Sequence, residues 1–379
     1  MNHLKDQPVA LVRCETYEAS ALDVSLAEAF RLSGGVDVEG KRVLLKPNIL
    51  RDAPPEKGIT TNPEFLRAVI RLIKAKGAAS VAVGDSPGFQ KPGFKGELCG
   101  LREAAISEGA EWVNFASDKI ILPAPNGKSV KEFRVTKELS DADVLISLPK
   151  LKTHQLMYFT GAVKNLFGLV PSLLKSPYHV MFPDREGFAS MIVDLLEAVK
   201  PAFAIMDGVI GMEGPGPGNG TPRKIGAVLA SRNLPSLDIV ASGIIGYPAL
   251  DVPTTREAVS RGLCPDSTAG IIIVGESPAS FLIKDFKLIR KTENGNLFRD
   301  IVSPGLRKRV KDSFGLKPVF LNDPCVRCGE CIKICPAKAL RFEGKDRRVK
   351  VDYRLCVRCF CCHEVCPEDA IEVRRKIVP

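Results

Sequence analysis

The sequence has no run of 18 uncharged apolar residues, so it predicts no membrane-spanning helix. Its first segment, MNHLKDQPVALVRCE, lacks the basic region and long apolar block of an export signal. The whole sequence also lacks a nucleophile elbow and a phosphate-binding P-loop. Aromatic residues are not interleaved with the basic ones, as they are in proteins that bind single-stranded nucleic acid. These absences disfavour a membrane protein, an elbow-type hydrolase, a P-loop enzyme and a nucleic-acid binder.

Cysteine is nearly absent outside one region of the chain. Of twelve cysteines, only Cys14, Cys99 and Cys264 lie outside residues 325–366. Dispersed cysteines in a secreted chain would suggest disulfides, whereas nine clustered cysteines suggest a metal site, which needs thiolates. Because thiolates need a reducing compartment, we expect the protein in the cytoplasm.

The net charge of +10 is confined to the last quarter of the chain. Residues 1–283 carry 31 basic and 31 acidic residues, residues 284–317 carry ten and four, and residues 318–379 carry thirteen and nine. We therefore expect an α/β body at 1–283, a basic connector at 284–317 and a tail at 318–379. The connector is either an ordinary solvated surface or a surface that docks on an acidic partner.

Strand-like and helix-like segments alternate along the body. The runs PVALVR, KRVLLKPN and DVLISLPK predict strands, and TNPEFLRAVIRLIKAKG predicts a helix capped by Asn62. Such alternation is typical of an α/β fold, in which a mostly parallel sheet carries helices on both faces.

Four of the predicted strands end in polar segments: KPN at 46–48, GDSPG at 84–88, PKLKTH at 149–154 and DGVIGMEG at 207–214. In open α/β sheets, ligands bind beyond the carboxyl ends of the strands. We therefore expect the four segments to converge on one cleft that binds a small-molecule substrate or an additional anionic cofactor. The residues expected to bind it are Lys46, Asn48, Asp85, Ser86, Lys150, Asn165, Asp207 and Glu213.

The segment PKLKTHQLMYFTGAVKNLFG, at 149–168, places polar side chains in apolar surroundings. Lys152 and Lys164 can hold anionic groups or transfer protons at a lowered pKa, and His154 can donate a proton. These three are the candidate catalytic residues. The alternative is that the lysines are surface residues beside a capping histidine.

The tail contains an internal repeat in which the pattern C-x2-C-x2-C-x3-C-P recurs after 31 residues. This is the bacterial two-cluster ferredoxin pattern, in which the fourth cysteine of each run binds the other [4Fe–4S] cluster. One cluster is therefore expected on Cys325, Cys328, Cys331 and Cys366, and the other on Cys356, Cys359, Cys362 and Cys335. Cys361 has no counterpart in the first run and is expected to bind no iron. A pair of zinc sites is the competing interpretation.

The tail is similar to bacterial two-cluster ferredoxins, which implies a small α+β domain. The body resembles the domain of unknown function 362 family, whose members are often fused to such a tail. The resemblance rests on KPN, TNPE, GDSPG, PKLKTH, TGAVKNLFG and DGVIGMEGPGPGNG, over residues 40–230. It implies an iron–sulfur protein and no particular reaction.

Three functions fit these observations. In the first, the tail takes electrons from a redox donor protein and passes them to the cleft, which makes the chain an oxidoreductase. In the second, the chain is an electron-transfer subunit that docks on a larger redox complex through Arg307, Lys308 and Arg309. In the third, the cleft performs non-redox chemistry and the clusters act as sensors. We favour the first; the sequence does not predict the substrate, the electron donor, the cluster potentials or the oligomeric state.

Overall fold

The computed structural model describes residues 6–88, 96–289 and 315–375. The body is built on a ten-stranded sheet. Its strands are β1 Val9–Arg13, β2 Arg42–Pro47, β3 Ser80–Val83, β4 Glu111–Trp112, β7 Val144–Leu148, β8 Lys150–His154, β9 Tyr158–Thr160, β10 Phe203–Glu213, β11 Thr221–Ser231 and β12 Ile273–Gly275. Strands β5 Lys119–Pro123 and β6 Glu132–Thr136 form a separate hairpin. The helices are α1 Ala19–Leu32, α2 Pro63–Ala75, α3 Leu101–Ser107, α4 Glu138–Asp141, α5 Ala162–Asn165, α6 Ser172–Met181, α7 Arg185–Val199, α8 Leu234–Ile244 and α9 Pro253–Ser260.

The order along the sheet is β12-β1-β11-β10-β7-β2-β3-β4. Strands β10, β7, β2, β3 and β4 are parallel to one another, whereas β11 runs antiparallel to both of its neighbours. The predicted α/β fold with a mostly parallel sheet is therefore confirmed. Because β2, β3 and β7 point the same way, their carboxyl ends meet at one edge.

Two apolar cores lie on opposite faces of this sheet. Successive strand residues alternate between them: Leu44 packs into one core, and Val43 and Leu45 into the other. Helices α1, α2 and α3 cover the second core, and α5, α7, α8 and α9 cover the first. No helix among the described residues is long and apolar enough to cross a membrane.

The segment 150–154, expected as a polar strand end, is itself a strand. After Pro149 the chain continues from β7 into β8, and both strands pair with β10. All five residues of KLKTH are buried, including the lysines. The side chains of this segment alternate between the two faces of the sheet, as in any strand. Lysines occupy positions where apolar side chains are usual, so the sequence did not look like a buried strand. For the same reason Asp207, opposite Lys150, lies inside β10 and not at its end.

The tail repeats one small unit twice. Its elements are β13 Leu316–Phe320, α10 Glu330–Ile334, β14 Leu340–Glu343, β15 Arg348–Val351, α11 Cys361–Val365 and β16 Ile371–Arg375. Helix α11 follows α10 at the 31-residue offset of the cysteine repeat. Most of the basic connector, including Arg307, Lys308 and Arg309, lies outside the described residues. The division at 283 and 317 therefore stays a prediction.

Candidate functional site

Two cavities in the tail are each lined by four cysteines. The first set is Cys325, Cys328, Cys331 and Cys366. The second set is Cys356, Cys359, Cys362 and Cys335. In each set three thiols come from one repeat and the fourth crosses from the other, so both fit the ligands of a [4Fe–4S] cluster. Cys361 lines neither cavity.

The backbone of the two ligand loops repeats as well. Arg327 and Arg358 both have positive φ, at 57° and 59°, and so do Gly329 and Phe360, at 79° and 62°. Left-handed residues at matching places turn each loop around its cysteines. The two sets differ in exposure, because Cys328 of the first set is the one exposed cysteine of the chain.

A third cavity, of about 80 Å³, lies where the tail meets the body, and we call it the junction cavity. The ends of β2 and β3, the α5 segment and α6 form its body side. Its tail side consists of Ile334, Cys361, Glu364 and Val365. Cys361 packs with Cys359, so a ligand-bearing segment of the second set forms part of the wall.

A buried ion pair lies at the base of the junction cavity. Lys46 Nζ is 2.8 Å from Asp85 Oδ1, and both side chains are almost fully buried. Asp85 Oδ2 also accepts a hydrogen bond from the Ile49 N–H at 2.6 Å. Burial lowers the pKa of Lys46, and the Asp85 carboxylate opposes that change. A Cβ at Gly168 would stand 2.0 Å from Asp85 Oδ1, so only glycine leaves room for the pair.

Hydrogen bonds extend this pair across the sheet edge. Asn165 Oδ1 accepts from Lys46 Nζ at 3.1 Å and from Asn48 Nδ2 at 3.2 Å. Asn48 Oδ1 in turn accepts from Lys152 Nζ at 2.6 Å. Burial lowers the pKa of Lys152 well below its usual value, and the charges of Lys164 and Lys150 lower it further. Five of the sequence-predicted residues therefore form one connected polar chain.

Ser86 links β3 to helix α6. Its hydroxyl accepts from the Ser172 N–H at 2.8 Å, and its carbonyl oxygen accepts from Lys175 Nζ. Burial lowers the pKa of Lys175 to about 7, although Asp85 acts in the opposite direction. Lys175 was not expected from the sequence, because a single lysine in the segment SLLKSPYHV gives no signal of a site.

His154 lies behind the junction cavity rather than in its lining. Its Nδ1 accepts hydrogen bonds from the N–H groups of Leu156 and Met157, at 3.1 and 3.3 Å. Burial and the charge of Lys164 hold its pKa well below the usual value, so the ring is neutral. The ring proton therefore sits on Nε2, which is 3.4 Å from Glu364 Oε1. Glu364 was also missed, because nothing in the segment HEVC relates it to the body.

Lys164 is half-buried in the cavity wall and makes no hydrogen bond or ion pair with the described residues. Burial lowers its pKa, and the Glu364 carboxylate opposes that change. Its ammonium group is the one lysine head group in the lining that the described protein leaves unsatisfied.

Three sequence-predicted residues lie elsewhere. Lys150 Nζ is 2.8 Å from Asp207 Oδ2 in a buried ion pair, and Tyr17 donates to Asp207 Oδ1 at 2.8 Å. Glu213 accepts from the Lys287 N–H at 3.1 Å. None of these side chains lines the junction cavity. The structure thus brings together the ends of β2, β3 and the α5 segment, but not Lys150, Asp207 and Glu213.

Arg51 holds the tail against the body. Its Nη1 donates to the carbonyl oxygens of Glu364 and Cys366, at 3.1 and 2.8 Å. Its Nη2 is 3.4 Å from the carboxylate of Asp369. Arg51 therefore contacts the second repeat at Cys366, which is the crossing member of the first set.

The α/β body and the two four-cysteine sets define an iron–sulfur protein with a ferredoxin-type tail. Residues 43–243 match the model of a domain of unknown function, DUF362, and residues 317–367 match that of a 4Fe-4S dicluster domain. The chain belongs to the DUF362 family. It is 34% identical over 284 residues to the "Thylakoid-associated protein sll1697" of Synechocystis sp., which covers 74% of this chain and 87% of that protein.

Two solved structures show distant similarity. One is the lactate racemase apoprotein from Thermoanaerobacterium thermosaccharolyticum, with a TM-score of 0.41 and 13% identity over 59% of this chain and 55% of that one. The other is a Thermotoga maritima protein, with a TM-score of 0.38 and 12% identity over 56% and 55%. This chain spans about half the length of each, and these similarities carry no argument about function.

The Lys150–Asp207 pair predicts a contrast between a lysine that has an ion-pair partner and one that has none among the described residues. We expect Lys150→Met to lower the free energy of unfolding by about 3–5 kcal/mol, because Asp207 then remains buried without its partner. Lys164→Met, which breaks no ion pair, should leave stability nearly unchanged. Denaturant unfolding of both variants checks this; equal losses would contradict it.

The crossed ligand sets predict which cluster each cysteine supports. Cys335→Ala should damage the cluster bound by the second set, although Cys335 belongs to the first repeat in sequence. Cys366→Ala is the matched variant and should damage the other one. Electron paramagnetic resonance and iron analysis of anaerobically reconstituted protein distinguish the two; loss of the cluster on the residue's own repeat would contradict the crossing.

Proposed function

We propose that this chain is an iron–sulfur oxidoreductase whose tail delivers electrons to a small molecule bound in the junction cavity. The observation that carries the proposal is the shared wall: Cys361, between two cysteines of the second set, lines the same cavity as Lys164 and Asn165. A fused electron carrier next to a polar cavity is the arrangement that a reductase needs.

The two sets of four cysteine thiols support two [4Fe–4S] clusters, which when bound supply electrons one at a time. The first set, with exposed Cys328, is the side open to a donor protein. The second set is next to the junction cavity. Reduction of a substrate by two electrons then consumes two protons, and the donor protein supplies both electrons.

Protons for this reduction are available from the cavity lysines. Lys175, with a pKa of about 7, gives up a proton near neutral pH, and Lys164 has a lowered pKa beside it. His154 does not line the cavity, but its Nε2 is 3.4 Å from Glu364 Oε1 without forming a hydrogen bond, so it acts on the cavity through contact with that residue. Its role is therefore to position Glu364.

The first experiment is anaerobic purification of the full chain, followed by iron, sulfide and small-molecule analysis. Two clusters correspond to about eight iron atoms per chain. A small molecule retained by the wild type and lost from Lys164→Met identifies the substrate or product to be used in turnover assays.

The turnover experiment measures how fast that molecule reoxidises dithionite-reduced clusters. We expect Lys164→Met and His154→Gln each to slow reoxidation, Lys164→Met by about 10²-fold if it transfers a proton. Lys137→Met, at an exposed lysine outside the cavity lining, is the control. Unchanged rates in both test variants with intact clusters would refute the proposal.

The pKa of Lys175 predicts a pH dependence. A lysine acts as an acid while it is protonated, so the reoxidation rate should fall as the pH rises above about 7. Lys175→Met should be slow at low pH and lack this fall. A wild-type rate that is constant between pH 6 and 9 would contradict this assignment.

A further inference from the structure

The charged groups around the junction cavity are unbalanced. Its lining contains the cations Lys46, Lys164 and Lys175 and the carboxylates Asp85 and Glu364. Lys46 and Asp85 neutralise each other in their ion pair. Two lysines therefore remain against one carboxylate, and Lys152 lies next to them without a carboxylate within 4 Å among the described residues.

The lysines of the cavity also have more hydrogen-bond donors than the described residues accept. An ammonium group has three donors. Lys46 uses all of its own on Asp85, Pro47 and Asn165. Lys175 donates to the carbonyl oxygens of Ser86 and Pro87, which leaves one donor, and Lys164 has all three free of described partners.

A buried imidazole nitrogen adds a further unmet group. His179 lines the cavity and is 8% exposed, and its Nδ1 has no hydrogen-bond partner. Its ring is fixed by stacking on Phe188, with centroids 4.6 Å apart. Buried polar atoms in proteins are nearly always hydrogen-bonded, and this one is an exception. The atom itself is too deeply buried for a ligand in the cavity to reach, so the ligand contacts must come from the lysines.

The size of the cavity limits what that ligand is. A cavity of about 80 Å³ holds several water molecules, each of which needs roughly 10–15 Å³ by this measure. A flavin or a dinucleotide is far larger. The space and the donors together suit a compact anion whose oxygens accept several hydrogen bonds.

We propose that the junction cavity binds a small oxyanion, a carboxylate or phosphate group, held by Lys164 and Lys175. The lowered pKa values of the two lysines fit this, because an anion would stabilise their charged forms. That the anion is a substrate rests on the proposed function, whereas its binding is measured without turnover.

The experiment is isothermal titration of the anaerobically reconstituted full chain with inorganic phosphate and, separately, with oxalate. We expect one of the two to bind with 1:1 stoichiometry. Lys164→Gln should weaken that binding at least about tenfold, because a charge-assisted hydrogen bond is lost. Lys137→Gln, which removes the same charge from an exposed site, should bind as the wild type does.

The two probes separate the sources of the anion, since phosphate binding points to a phosphoryl group and oxalate binding to a carboxylate. Absence of binding for both at 10 mM, a concentration of the order expected for a weak anion site, would overturn the proposal. Equal binding by wild type and Lys164→Gln would overturn it too.

A further outcome tests the competing role of the lysines, which is to offset the negative charge of the nearby cluster. If Lys164→Gln shifts the cluster potential but no anion binds to the wild type, that role is correct and the oxyanion site is not. Conversely, anion binding that depends on Lys164, with reoxidation independent of any anion, supports the site and refutes only the reductase proposal.

Ser176→Ala, a lining variant that keeps every charge, checks that folding and cluster content survive changes at this wall.

Discussion

The energetic cost of burying ammonium groups is the constraint on which this sheet edge depends. An unpaired buried charge is strongly unfavourable, so each lysine here needs its own compensation. Lys46 and Lys150 have carboxylates, Lys152 has the oxygens of Asn48 and Ile59, and Lys175 has backbone carbonyls. The positions of Asn48, Asn165 and Asp85 follow from these requirements, because they supply the oxygens.

The same constraint joins the tail to the body. The wall of the junction cavity is complete only where α11 supplies Cys361 and Glu364, and Arg51 fixes that helix through backbone oxygens. Arginine suits this role because its planar donors can contact several acceptors at once. The cavity is therefore a property of the two parts together and not of the α/β body by itself.

The parts of the structure that sequence alone predicted are those governed by local spacing. The cysteine offset of 31 residues predicted both four-thiol sets, because a ligand loop is short and its geometry repeats. The strand–helix alternation predicted the α/β fold, and the parallel carboxyl ends placed Lys46, Asn48 and Asp85 together. Asn165 of α5 joins them through its hydrogen bonds to Lys46 and Asn48. The predictions failed where residues distant in the sequence contact each other. The lysines of β8 suggested a polar strand end, although the segment is a buried strand in which Lys150 pairs with Asp207. Lys175 and Glu364 become neighbours only because the tail docks on the body.

The crossing of Cys335 and Cys366 has a consequence for the order of events during synthesis. The second set of four thiols is complete only once Cys362 has been synthesised, and the first only once Cys366 has, which in both cases is after the whole α/β body has been made. The α/β body is therefore synthesised in full before either set of four thiols can hold a cluster. Because Cys361 and Glu364 belong to this last-made segment, the junction cavity likewise gains its tail-side wall only at the end of synthesis.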